Sequence, residues 1–130
     1  MLKKLYKKAG LDTPKIDFDP ETGILIIEGK SFPPDVKEFY ADVLEWLDEY
    51  MQKPAPQTEL TLKLDYFNTA SSKIILDILY KMEDLYKSGQ PVIVKWYYPE
   101  DDEDMKETGL EYAEIIKVPF KQISYTYTFE

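Results

Sequence analysis

Residues 60–73 read LTLKLDYFNTASSK, and a change of period inside them decides the fold. Leu60, Leu62, Leu64 and Tyr66 recur every second residue, the pattern of a strand with one packed face. After Asn68 the apolar residues follow the helical period instead: Ile75, Ile78, Leu79, Met82, Leu85 and Tyr86. A strand therefore runs directly into a helix, and Asn68, Thr69, Ala70, Ser71 and Ser72 form the junction. The first turn of a helix carries unpaired N–H groups and the positive end of the helix dipole, which favours a negative group such as a phosphate.

Outward from this junction the chain alternates strands and helices. Residues 15–19 and 24–28 flank Pro20-Glu21-Thr22-Gly23, a turn sequence, and read as a hairpin. Pro33, Pro34 and Asp35 open a helix whose apolar stripe runs Val36, Phe39, Tyr40, Val43, Leu44, Leu47, Tyr50 and Met51. Pro54-Ala55-Pro56 stops it. The helix from about residue 70 ends at Ser88-Gly89. Residues 92–98 form another strand, 102–116 a third helix, and 121–129 a last alternating strand ending in Ile123, Tyr125, Tyr127 and Phe129.

The predicted order is β-β-α-β-α-β-α-β. Single helices between strands favour right-handed crossovers and parallel pairing, so the expected fold is a single α/β domain over residues 1–130. Its sheet is mixed, with an N-terminal hairpin and about three helices mainly on one face. This architecture resembles that of anti-sigma-factor antagonists and related STAS-like domains.

Composition removes most chemistry. The chain has no histidine and no cysteine, which excludes disulfides, thiol nucleophiles, histidine-based triads and ordinary zinc sites. A net charge of −9 opposes binding to nucleic acid. Lys3, Lys4, Lys7 and Lys8 resemble the start of a signal peptide, but no apolar stretch follows them; they are read as a solvated, flexible basic segment within residues 1–12, with a membrane- or partner-binding arm as the alternative. No run approaches the roughly 20 apolar residues of a membrane span, so a cytoplasmic protein without membrane insertion is expected. The acidic run from Glu100 to Asp104 lacks the alternating ligands and glycine of a calcium loop and reads as the negative first turn of the third helix. No metal or cofactor is expected.

The candidate site is the junction. Capping alone accounts for Asn, Ser and Thr at a helix start, and on that reading Thr69 needs no other role. The following helix supports an alternative. At about 100° per residue, Thr69, Lys73, Leu76 and Tyr80 share one stripe, opposite the core face of Ile75, Ile78 and Met82. Leu76 and Tyr80 are thus apolar residues on the wet side, in line with a modifiable hydroxyl, as a partner-docking surface would be.

Nearly the whole chain resembles the SiaC-type regulatory phosphoproteins of bacteria. The resemblance rests on Thr13-Pro14, Asp19-Pro20-Glu21-Thr22-Gly23, Gly29-Lys30-Ser31-Phe32-Pro33, Glu38-Phe39-Tyr40, Trp46-Leu47, Leu64-Asp65-Tyr66-Phe67-Asn68-Thr69 and Trp96-Tyr97-Tyr98 with the acidic run. The family motif, close to Asn-Thr-Ser-Ser-x-Lys, stands here as Asn68-Thr69-Ala70-Ser71-Ser72-Lys73, with Ala70 replacing the first serine. The resemblance implies that Thr69 is the phosphoacceptor of a non-enzymatic partner switch. It further implies a dedicated kinase, a PP2C-like phosphatase and a diguanylate cyclase effector, bound and activated by the unmodified form. A plain structural or adaptor domain, with Thr69 only a helix cap, is the alternative.

Overall fold

The computed structural model describes residues 1–126 and contains six strands and three helices. They run β1 (Leu5–Lys7), β2 (Lys15–Phe18), β3 (Ile24–Ser31), α1 (Val36–Gln52), β4 (Thr58–Phe67), α2 (Thr69–Lys87), β5 (Val92–Pro99), α3 (Glu103–Ile115) and β6 (Phe120–Tyr125). Residues 127–129 of the expected last strand lie outside the described residues.

One sheet holds all six strands in chain order. β1, β2 and β3 pair antiparallel, and β3, β4, β5 and β6 pair parallel. Because each parallel strand is added on the same side of the last, right-handed crossovers deliver α1, α2 and α3 to the same face. Ile16, Phe18, Leu25, Ile27, Leu60, Leu62, Leu64, Val92, Val94 and Trp96 line that face and are buried. Ile75, Ile78, Leu79 and Met82 of α2 and Tyr40, Val43, Leu47 and Tyr50 of α1 complete the core. The opposite face mixes Ile26, Ile93 and Tyr97 with charged residues and is crossed by ion pairs, Lys95–Glu59 at 2.8 Å and Lys15–Glu28 at 3.7 Å.

Two features depart from the sequence expectation. The basic N-terminal segment is not wholly free: Leu5–Lys7 adds β1 to the sheet edge. It is tied down by partners distant in sequence. The Trp46 indole donates to the Lys3 carbonyl at 2.7 Å, and Lys7 Nζ donates to the Phe39 carbonyl at 2.7 Å while lying 4.0 Å from the Phe39 ring centre.

The second departure is at Tyr66. β3 and β4 pair Gly29 with Leu64 but Lys30 with Tyr66, so Asp65 is an extra residue in β4. Such a bulge flips the side-chain parity beyond it. Tyr66, expected on the packed face with Leu64, is turned out and 52% exposed. Phe67 turns in instead and meets Trp96 edge-on. The exposed Tyr66 ring packs edge-on against Phe32 at 5.6 Å.

Candidate functional site

The end of β4 leads into α2 through a single extended residue, Asn68, at φ −88° and ψ 176°. Its side-chain oxygen accepts the Ser71 N–H at 2.9 Å, and its carbonyl accepts the Ser72 N–H at 2.9 Å. Asn68 is therefore the cap of α2. Thr69 is the first helical residue, and the reading of Thr69 as the cap is overturned. Geometry explains why: the residue that precedes the helix keeps an extended backbone, which aims its side-chain oxygen at the free amides of the first turn.

The hydroxyls of the junction have separate fates. Ser71 is fully buried, and its Oγ accepts a 2.8 Å bond from Ser31 Oγ. Ser72 Oγ donates to the Thr69 carbonyl at 2.6 Å. Thr69 is exposed, and its hydroxyl has no partner among the described residues. Of the three, it alone is both exposed and unengaged.

Thr69 stands on the lip of an open groove of about 410 Å³ between α2 and α3. Phe67, Ser72, Lys73 and Leu76 form one wall, and Thr108, Glu111, Tyr112 and Ile115 form the other. The Tyr112 hydroxyl bridges the two helices by donating to the Ser72 carbonyl at 2.9 Å. Burial pushes the Tyr112 phenol up to about 12, with the charge of Glu111 adding to the rise, so it stays a proton donor. Lys73 is exposed, forms no ion pair among the described residues, and lies one helical turn beyond Thr69.

The stripe of α2 is only partly wet. Tyr80 is 41% exposed and lies beyond the groove, whereas Leu76 is half-buried, packing on the core while lining the groove. The contribution of α3 escaped the sequence reading. Its signal was available: Ile115 falls off the core face of Met105, Gly109 and Tyr112, and it is 48% exposed.

The acidic run serves its helix. Asp102 caps α3 by accepting the Met105 N–H at 2.9 Å, with Glu103 and Asp104 in the first turn. Among the described residues no group of acidic side chains is arranged to hold a metal ion, and no helix is long and apolar enough to cross a membrane.

The molecule is thus a one-sided α/β sheet domain with an exposed threonine at the lip of an open groove, an arrangement suited to binding a partner. The sequence match is specific: the chain belongs to the SiaC family of regulatory phosphoproteins, over residues 7–125. An uncharacterised protein of Pseudomonas aeruginosa is 33% identical over 108 residues, covering 83% of this chain and 86% of its own. The crystal structure of apo-SiaC from P. aeruginosa superposes with a TM-score of 0.85 at 30% identity, over 93% of this chain and 98% of that one. SiaC from the same organism, in complex with the diguanylate cyclase SiaD that it activates, superposes with a TM-score of 0.89 at 30% identity, over 93% and 99% of the two chains.

Proposed function

We propose that this protein is a non-enzymatic switch of the bacterial cytoplasm, reversibly phosphorylated on Thr69, whose unmodified form binds and activates a diguanylate cyclase. A dedicated kinase adds the phosphate and a PP2C-like phosphatase removes it, so that cyclic di-GMP output and biofilm growth follow the state of one hydroxyl. The observation that carries this reading is the position of Thr69: exposed, on the lip of the α2–α3 groove, and with a hydroxyl that has no partner among the described residues. The likeness to SiaC bound to its cyclase supports the choice of effector.

The physical basis is a local change of charge. A phosphate adds about −1.5 to −2 charge and three acceptor oxygens. At the start of α2 the fold tolerates that charge, because the free amides and dipole favour it. A partner seated over Leu76 and Tyr80 must instead desolvate it, so binding weakens while the fold persists.

Mapping of phosphate after exposure to the cognate kinase tests the site, and cyclase activation by the two forms tests the output. Phosphate confined to Ser72, or equal activation by both forms, rejects the reading.

A further inference from the structure

Ser31, Tyr40 and Ser71 are fully buried and joined through their hydroxyls, in a core that is otherwise almost entirely apolar. Ser31 Oγ donates to Ser71 Oγ at 2.8 Å, and the Tyr40 hydroxyl lies 2.6 Å from Ser31 Oγ. A serine hydroxyl carries one proton, and that of Ser31 is committed to Ser71. Tyr40 is therefore the donor, and the chain of bonds runs from α1 through the end of β3 to the first turn of α2. Ser31 also accepts the Asn68 N–H through its carbonyl at 3.1 Å, so it grips the turn on both sides of Thr69.

Buried hydroxyls are costly unless bonded, and hydrogen bonds fix direction in a way that apolar contacts do not. Ser71 follows Thr69 by two residues, about 200° around the helix, so the buried foot of the turn lies opposite its exposed hydroxyl. From this geometry we infer that Ser31 and Tyr40 are positioning residues for Thr69, setting the rotation and order of the turn that the kinase and the effector read. The inference rests on the switch reading of Thr69 for its consequence, but the ordering of the turn is measurable without it.

Tyr40→Phe removes one oxygen at the far end of the relay. Tyr50→Phe is the matched control, since Tyr50 is equally buried and bonds Thr58 at 2.8 Å at the start of β4. Amide hydrogen exchange is measured on both variants, with Ser71→Ala as a second break in the relay, alongside binding to purified P. aeruginosa SiaD. The relay predicts faster exchange at the Ser71 and Ser72 amides in Tyr40→Phe and Ser71→Ala, by up to about tenfold, the loss of one net hydrogen bond. Tyr50→Phe, compared at equal melting temperature, leaves those amides unchanged, and only the relay variants bind SiaD more weakly. Unchanged exchange at the turn, or the same change in all three variants, overturns the inference. Loosened amides in the relay variants together with failure of the wild type to bind SiaD keep the relay and reject the effector reading.

Discussion

Asn68 Oδ1 accepts the Ser71 N–H at 2.9 Å, and this bond takes the capping duty of α2 away from Thr69. The consequence is a sharp asymmetry between adjacent residues. Asn68→Ala is expected to lower stability by about 1 kcal/mol, the usual cost of losing a cap. Thr69→Ala stays within about 0.5 kcal/mol, as exposed substitutions do. Urea denaturation of the two variants checks this, and the opposite order would return the cap to Thr69.

Thr69→Asp places a carboxylate in the first turn of α2, which has no acidic residue of its own. The folded state is expected to gain about 0.3–1 kcal/mol from the dipole. Effector affinity falls at the same time, though a single carboxylate carries less charge than a phosphate, so the loss is partial. Thermal melting and a cyclase titration on the same sample separate the two effects. A variant that melts well below wild type contradicts this account.

The alternation up to Leu64, the helical stripe from Ile75, the opening of α1 at Asp35 and the acidic start of α3 near Asp102 were all readable, because each is a local pattern of residue types. What escaped was set by partners far along the chain. Tyr66 obeys the strand alternation in sequence, and only the pairing with Gly29 and Lys30 shows that Asp65 is bulged. Leu5–Lys7 is too short to announce a strand, and the bonds that hold the segment, Trp46 to Lys3 and Lys7 to Phe39, span more than thirty residues. The junction hydroxyls were legible as a group, and Ser71 stands four residues before Ile75 on the core face, but its partner Ser31 in β3 is set by the sheet and had no local signal. The second wall of the groove was missed because α3 was read only for its bounds and its acidic first turn.

Gly109 faces the Trp96 ring so closely that a Cβ would lie 2.5 Å from the indole carbon. Trp96 is held in place by its own bond to the Met105 carbonyl and by Tyr112 and Phe67 around it. Gly109→Ala gains helix propensity but must push α3 from β5, and overpacking of this kind costs about 1–3 kcal/mol. A net loss in the denaturation midpoint is expected; a stabilised variant would show that α3 shifts freely.

Tyr40 and Tyr112 share an alkaline signature. Burial raises both phenols to about 12, above the value near 10 of an unfolded tyrosine. Between those limits the unfolded chain has lost protons that the folded chain still holds, so stability falls as pH rises. Their contribution is complete below about pH 10 and lost progressively toward about 12. The double variant Tyr40→Phe/Tyr112→Phe starts less stable but declines less steeply over that window. Urea midpoints measured at stepped pH give the comparison; parallel slopes for wild type and variant would mean both phenols titrate normally.

The α2 stripe divides into a residue that can be tested cleanly and one that cannot. Tyr80 is 41% exposed, so Tyr80→Asp is expected to leave stability within about 0.5 kcal/mol while weakening effector capture. Leu76 packs on the core as well as lining the groove, so its truncation carries a structural cost. Full burial would cost about 2–5 kcal/mol for Leu→Ala, and about half of that suits a half-buried side chain. Ile115, 48% exposed on the facing wall, supplies the independent check. If the effector enters the groove, Ile115→Asp weakens binding at little cost in stability, and its effect with Tyr80→Asp accumulates. Calorimetric titration of the single and double variants, with melting curves alongside, measures both terms. Stable Tyr80 and Ile115 variants that bind at wild-type affinity would move the effector surface off this groove, leaving the phosphoacceptor role of Thr69 to stand on its own test.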